Sequence, residues 1–294
     1  MTDTPVHDRI LLQDVSPRDG LQSEETLLSP AERADLIDGL AGCGLPRVQV
    51  GAAVNPKVVP QMAGLETLWR LVSKSPGTRF SVLALNDRGL DQAISMGAPH
   101  VEIYVSASET HSRKNSRIGL QEGLTRGARM IERALESGLS VTAGVMCAFG
   151  CAYEGAVPVE RVMEMVEVLN GGSPQEIGLA DTTGMGSPPE IAKAVDLLSR
   201  TINRRRLTLH LHDTYGFGMA NFRAALDAGI RKFDTSVGGL GGCPFVPGAK
   251  GNISTEQAVD AAHGLGYQTG VDTEKLAEVR AYLEKRLRRP LSAP

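Results

Sequence analysis

The chain has 294 residues and carries 31 basic against 34 acidic side chains, a formal net charge of −3. This balance argues against a nucleic-acid partner, which would need a strong basic excess. Its 33 glycines far outnumber its six Phe, five Tyr and one Trp, which predicts many tight turns and an aliphatic core. Four cysteines are too few for a disulfide framework at this length. No stretch is apolar over the eighteen or so residues of a membrane span, so we expect a soluble, cytoplasmic protein with no membrane partner.

Short apolar, β-branched runs recur along the chain and are predicted to be strands. Eight of them are found, at 10–15, 47–52, 80–85, 100–105, 139–147, 175–181, 207–212 and 232–237. Helical spacing of apolar residues lies between the runs, for example at 32–41, 120–136, 159–169 and 189–198. This alternation predicts a parallel sheet closed into a (β/α)₈ TIM barrel, with an open doubly wound sheet as the alternative.

The chain shows no low-complexity linker, so we expect a single domain over 1–294. The barrel is predicted over about 8–270 and a helical extension over 271–294, with an extra helix at 272–289 that serves as a lid or an oligomer contact. The low aromatic count predicts a barrel lined by aliphatic side chains. In such barrels the functional residues follow the carboxyl ends of the strands.

Two histidines end the seventh predicted strand. His210 and His212 are two residues apart and so face the same side, while Leu209 and Leu211 face the other. Two convergent neutral imidazoles form half of a divalent-metal site. The alternative is a pair of polar side chains that fill the barrel interior.

Charged and reactive side chains also follow the first and eighth strands. Asp19 is a candidate anionic metal ligand, and Arg18 a candidate for stabilising oxyanion charge. The alternative is an ordinary surface ion pair. After the eighth strand, glycines at 238, 239, 241 and 242 precede Cys243, a thiol suited to proton transfer. The alternative there is a phosphate-binding glycine loop in which the cysteine is incidental.

These segments together resemble the 3-hydroxy-3-methylglutaryl-CoA lyase family. The resemblance rests on Pro-Arg-Asp-Gly-Leu-Gln at 17–22, His-Leu-His-Asp-Thr-Tyr-Gly at 210–216, and Gly-Leu-Gly-Gly-Cys-Pro at 239–244 with Gly251 and Asn252. Segments at 56–62, 147–155 and 181–186 agree, and the resemblance runs over roughly residues 8–275.

The resemblance implies a carbon–carbon lyase that uses Mg²⁺ or Mn²⁺, takes an acyl-CoA substrate and forms a homo-oligomer. Such an enzyme cleaves a 3-hydroxy-3-methylglutaryl-CoA-type thioester to acetyl-CoA and a keto acid. The residues that match the family's functional positions are the metal ligands Asp19, His210, His212 and Asn252, the catalytic residues Arg18, Cys243 and Asp181, and Gln22 in substrate binding.

Three positions depart from the family pattern. Gln49 replaces a glutamate, and Ala52 and Gly178 each replace a serine. We expect these substrate-binding positions to make the pocket one charge more positive and poorer in hydrogen-bond donors. The reaction would then act on a different acyl group, such as citramalyl-CoA or a bulkier 3-substituted glutaryl-CoA. An oxo-acid aldolase or a non-catalytic relative would also account for part of this pattern.

Overall fold

Eight parallel strands close into a barrel in the order β1 to β8 in a computed structural model, which describes residues 9–243 and 246–291. The predicted (β/α)₈ architecture is therefore confirmed, and the doubly wound alternative is wrong. The strands are β1 (Leu11–Asp14), β2 (Arg47–Ala52), β3 (Arg79–Leu83), β4 (His100–Ser106), β5 (Ser140–Met146), β6 (Glu176–Ala180), β7 (Leu207–His210) and β8 (Lys232–Thr235).

Helices surround the barrel and follow the strands along the chain. They are α1 (Pro30–Gly42), α2 (Leu65–Leu71), α3 (Asp87–Ser95), α4 (Glu109–Ser116), α5 (Leu120–Glu136), α6 (Val159–Asn170), α7 (Pro188–Leu198), α8 (Gly218–Asp227), α9 (Thr255–Gly264) and α10 (Thr273–Leu287). A capping box formed by Ser29 and Glu32 starts α1, with proline in the first turn. Within the described residues, no helix is both long and apolar enough to cross a bilayer.

The aliphatic side chains of the strands pack outward against the helices. In β2, for example, Val48 and Val50 belong to the main apolar core, whereas Arg47 and Gln49 on the alternate face are buried polar residues. The expectation of a barrel lined by aliphatic residues is therefore wrong. The aliphatic side chains that the low aromatic count predicted form the layer between the strands and the helices. The interior of the barrel is polar.

A carboxylate-centred ion cluster fills the base of the barrel, at the amino ends of the strands. Glu176 accepts from Arg47 at 2.7 Å, from Arg79 at 2.9 Å and from Lys232 at 2.5 Å. Beside it, His100 lies 2.6 Å from Ser140 Oγ. Because Glu176 lies on β6 and its partners lie on β2, β3 and β8, the cluster joins opposite sides of the barrel.

The chain after β8 returns to the barrel mouth. It forms a short antiparallel pair, β9 (Gly242–Cys243) and β10 (Val246–Lys250), and then runs beside the end of β7. There Asp213 N donates to Gly251 O at 2.7 Å, and His212 and Asn252 form a β-bridge. Gly251 is required at this crossing because a Cβ there would lie 2.5 Å from the backbone of Gly241.

The predicted C-terminal helix is confirmed as α10, which packs beside α1. Tyr282 Oη donates to the carbonyl of Glu32 at 2.9 Å. After α10, Arg289 pairs with Glu24 in the loop that follows β1, and Leu291 lies against Gly238. The end of the extension therefore reaches the loops at the barrel mouth.

Candidate metal centre and active site

Three ligand-type side chains converge at the mouth of the barrel. The ligand atoms of Asp19, His210 and His212 lie within 4.8 Å of one another. The two Nε2 atoms of the histidines are 2.9 Å apart, and Asp19 Oδ2 lies 3.4 Å from His212 Nε2 and 3.8 Å from His210 Nε2. Two nitrogens and one carboxylate oxygen thus face a common point, as the sequence predicted.

Local backbone structure explains this convergence. A π-helical turn over Ser16–Gly20 follows β1 and brings Asp19 over the barrel. His210 ends β7 and His212 continues in extended conformation, so both imidazoles face inward while Leu209 and Leu211 are buried in the apolar core.

Asn252 contacts this group of ligand atoms through its side-chain amide. Its Nδ2 donates to Asp19 Oδ2 at 2.9 Å and to Leu240 O at 3.0 Å. Its Oδ1 is buried and has no hydrogen-bond partner among the described residues, an arrangement expected of a ligand atom because buried polar atoms are otherwise paired. Two imidazole nitrogens, a carboxylate oxygen and an amide oxygen are a donor set that fits a divalent cation.

Asp234 of β8 orients one of the histidines. Its Oδ2 lies 3.1 Å from His210 Nδ1, which leaves Nε2 facing the other ligands. Although burial acts against it, the hydrogen bond to Asp234 and the charge of Asp19 hold the pKa of His210 above its ordinary value. Burial likewise opposes ionisation of Asp19, but Arg18 and both histidines hold its pKa well below the ordinary range.

Arg18 contacts both the candidate metal centre and Gln49, the position on β2 that departs from the family pattern. Its guanidinium donates to Asp19 Oδ1 and to Gln49 Oε1. Gln49 Nε2 lies beside Glu102 but has no hydrogen bond of normal geometry among the described residues.

Comparison with known proteins identifies the family. The HMGL-like family model matches residues 9–283. This chain belongs to the HMGL-like family. It is a carbon–carbon lyase, and it shares 41% identity over 274 residues with a hydroxymethylglutaryl-CoA lyase of Pseudomonas mevalonii, covering 93% of this chain and 91% of that protein.

Two further relatives are a lyase named for a different substrate and a solved structure that contains ligands. An (R)-citramalyl-CoA lyase of Chloroflexus aurantiacus is 38% identical over 294 residues, covering 97% of this chain and 93% of that protein. A solved HMG-CoA lyase of Acinetobacter baumannii, in complex with coenzyme A and 3-methylmalate, has a TM-score of 0.94 at 33% identity. It is matched over 99% of this chain and 95% of that one.

Asp181, another predicted catalytic residue of this HMGL-like chain, lies beside the end of β7, where its backbone N–H donates to the carbonyl oxygen of His210 at 2.9 Å. Asp181 is fully buried and accepts from Gly186 N at 3.1 and 3.2 Å. Burial raises the pKa of Asp181 to about 6. The side chain of Cys243 lies outside the described part of the structure, and Gln22 is exposed.

Ala52 and Gly178, the other two positions that depart from the family pattern, lie against apolar or aromatic side chains. Ala52 packs with Met62 and Leu83 in a small cluster separate from the main core, and Tyr104 borders it. Gly178 lies in the middle of β6, where the nearest side chain to it is also Tyr104.

Sequence reasoning missed two inward-facing residues of β4 in this lyase, Glu102 and Tyr104. Glu102 accepts from Ser81 Oγ at 2.6 Å and from Gln13 Nε2 at 3.0 Å, beneath the metal centre. Burial, followed by the charge of Asp234, raises the pKa of Glu102. The charge of the pocket therefore does not depend on Gln49 alone, as the sequence-based expectation assumed. The signal that could have found them was the alternation in β4, where Glu102 and Tyr104 interrupt Val101, Ile103 and Val105.

Proposed function

We propose that this HMGL-like chain cleaves a 3-hydroxy-3-methylglutaryl-CoA-type thioester to acetyl-CoA and a keto acid. The observation that carries the proposal is the convergence of Asp19, His210 and His212, beside which Asn252 contacts Asp19. These four residues would hold Mg²⁺ or Mn²⁺. When bound, such an ion supplies Lewis-acid chemistry that favours ionisation of the substrate's tertiary alcohol.

The reaction requires two proton transfers and one charge stabilisation. The proton of the 3-hydroxyl is removed, the bond between C2 and C3 breaks as the keto group forms, and its electron pair becomes the enolate of acetyl-CoA. We assign the first proton removal to Asp181 and stabilisation of the enolate oxygen to Arg18. Cys243, on the glycine-rich loop, would donate the proton that completes C2 of acetyl-CoA.

The test is an assay of the purified chain after metal removal. Acetyl-CoA and the keto acid are expected in equal amounts once Mg²⁺ or Mn²⁺ is restored, and little product is expected without either ion. Cys243→Ala should lower kcat about 10²- to 10⁴-fold, the range for loss of a general acid, while Cys43→Ala, in the helix layer, should leave kcat near the wild-type value. Full activity of Cys243→Ala would favour an oxo-acid aldolase instead.

A second candidate substrate is citramalyl-CoA, which also carries a hydroxyl, a methyl group and a terminal carboxylate. The ring of Tyr104 favours it by filling the space beside Gly178, because the citramalyl group is one methylene shorter than the 3-hydroxy-3-methylglutaryl group. A relative of this chain is named for that activity. A panel containing both thioesters and a bulkier 3-substituted glutaryl-CoA distinguishes the candidates by kcat/KM. The homo-oligomer also stays a proposal, testable by light scattering.

A further inference from the structure

Tyr104 faces the interior of the barrel from β4. Glu102, two residues earlier, faces inward and contacts Ser81 and Gln13, and residues two apart in a strand share a side. The strand register pairs Tyr104 with Gly144 of β5 and Gly144 with Gly178 of β6. Tyr104 therefore lies in the same layer of the barrel as Gly144 of β5 and Gly178 of β6.

The side chain of Tyr104 occupies the space that side chains at both glycines would need. A Cβ built on Gly144 would lie 2.1 Å from Tyr104 Cε1, and one built on Gly178 would lie 2.2 Å from Tyr104 Oη. Both distances are far shorter than a carbon–carbon or carbon–oxygen contact. The two glycines thus let the ring cross β5 and place its hydroxyl beside β6.

This placement changes the meaning of Gly178. A serine at that position, which the family resemblance leads one to expect, would put a hydroxyl in the space that Tyr104 Oη now fills. The loss of the serine side chain does not enlarge the pocket, because the tyrosine ring takes up the volume. The hydroxyl is retained, but β4 supplies it.

The hydroxyl of Tyr104 is available to a ligand. It makes no hydrogen bond within the described residues, and Tyr104 is partly exposed in a strand whose other residues are buried. Burial, with the charges of Asp234 and Glu102, raises the pKa of Tyr104 well above its ordinary value, so the group stays protonated and acts as a donor. Gln49 Nε2 is a second donor without a partner of normal geometry.

The level of Tyr104 suits the far end of an acyl chain. Gly178 pairs with Thr208, and two residues later Ala180 pairs with His210, so the hydroxyl lies one inward-facing level below the metal centre. A substrate whose 3-hydroxyl lies at the metal centre would direct the rest of its acyl group toward this level. The cluster of Ala52, Met62 and Leu83 borders the same tyrosine and offers an apolar contact for a methyl group.

We infer that Tyr104 is a substrate-binding residue whose hydroxyl donates a hydrogen bond to the terminal carboxylate of a short 3-hydroxy-3-methyl acyl-CoA. The inference rests on the proposed function and narrows its substrate class. Arg18 adds positive charge within electrostatic reach of Tyr104. A bulkier 3-substituent is disfavoured because the tyrosine ring fills the room that Gly178 would have provided.

Tyr104→Phe is the primary test because it removes the hydroxyl and keeps the ring. The KM for the thioester that the wild type prefers should rise about 10- to 100-fold, the loss expected for a hydrogen bond to a charged group, while kcat changes little. Inhibition by free CoA, which lacks the acyl group, should be unchanged. Tyr282→Phe, which loses a hydroxyl on α10, is the matched control and should keep the wild-type KM.

A swap of the hydroxyl between strands provides the second test. Gly178→Ser alone should lower kcat/KM because the serine collides with Tyr104, and Tyr104→Ala alone should raise KM. The double variant Tyr104→Ala with Gly178→Ser should recover part of the affinity lost in Tyr104→Ala, since the hydroxyl then comes from β6. Thermal midpoints identify any variant that fails to fold, and Tyr104→Phe decides the question if one does.

The results separate this inference from the proposed function. If the wild type cleaves a thioester of the panel but Tyr104→Phe keeps its KM, or weakens CoA inhibition equally, the inference is wrong and the lyase assignment stands. If the wild type cleaves no thioester with either metal, both fail together.

Discussion

Asp234 shows how one buried residue determines what its neighbour can do. Of the metal ligands, His210 is the one that Asp234 contacts. The carboxylate lies 3.1 Å from His210 Nδ1 and so selects the tautomer whose Nε2 faces Asp19 and His212. It also accepts from Gln13 Nε2 at 3.1 Å, which holds the carboxylate in place. A metal centre here depends on this outer contact as well as on the ligands.

Asp234→Asn is expected to weaken Mn²⁺ binding about 10- to 100-fold, the usual effect of losing such a partner. The amide can present an N–H to His210 and so favour the wrong tautomer. Titration of the metal-free protein with Mn²⁺, followed by calorimetry, measures the change without any substrate. Asp227→Asn, which alters an exposed ion pair with Arg223 on α8, should leave the affinity unchanged, and equal affinities in both variants would refute the role given to Asp234.

At the residue scale, the sequence predicted those features of the site that depend on residues close together in the chain. His210 and His212 are separated by one leucine, so strand geometry alone predicts that they converge. The contribution of Asp234 to His210 depends on the register between β7 and β8, which no local pattern contains. Tyr104 was missed for the same reason, since its role depends on glycines 40 and 74 residues further along the chain, at Gly144 and Gly178.

At the scale of the elements, Glu176 links strands that are not neighbours. The carboxylate of this β6 residue is nearly buried and is shared by Arg47, Arg79 and Lys232. Although burial opposes ionisation, these cations hold the pKa of Glu176 far below its ordinary value. The carboxylate is thus charged at neutral pH, and the three cations depend on it.

Glu176→Gln should lower the free energy of unfolding by about 3–5 kcal/mol, because removing one partner of a buried ion cluster leaves the others uncompensated. The glutamine keeps the size and shape of the side chain, so the effect reports charge rather than packing. Urea unfolding followed by circular dichroism measures it. Asp196→Asn breaks an exposed pair with Arg200 and should change stability little; a similar small change for Glu176→Gln would contradict the argument.

The elements themselves were largely predictable. Hydrophobic runs bounded by turn residues located every barrel strand, and the Ser-Pro pairs at 29–30 and 187–188 marked the starts of α1 and α7. The π-helical turn at Ser16–Gly20 and the β9–β10 pair were not predicted. Both are irregular segments whose backbone is set by tertiary contacts at the barrel mouth, so no repeating pattern in the sequence signals them.

At the scale of the whole molecule, the polar interior makes stability depend on pH. Burial and the nearby charge of Arg79 lower the pKa of His100 to about 3, so His100 is neutral in the folded protein at moderately acidic pH. The unfolded chain binds that proton near pH 6.5. Between these values the unfolded state holds more protons, so stability falls as the pH falls.

His100→Gln should flatten this dependence. The slope of the free energy of unfolding against pH, measured between pH 6 and 4.5 by urea unfolding, should decrease by up to one proton, about 1.4 kcal/mol per pH unit. His263→Gln, which removes an exposed imidazole at the end of α9, is the control for loss of a histidine outside the barrel. Parallel slopes for His100→Gln and the wild type would show that His100 is not neutral in the folded state.

The ion cluster at the base of the barrel also affects whether the two halves of the barrel could fold separately. Cutting the chain between β4 and β5 would give two half-barrels of four strands each. The first half would carry Arg47 and Arg79 without the carboxylate they share, and the second would hold Glu176 with Lys232 alone. The two arginines of the first half therefore gain their shared anion only when both halves are joined. We expect the barrel to unfold as one cooperative unit rather than as two autonomous modules.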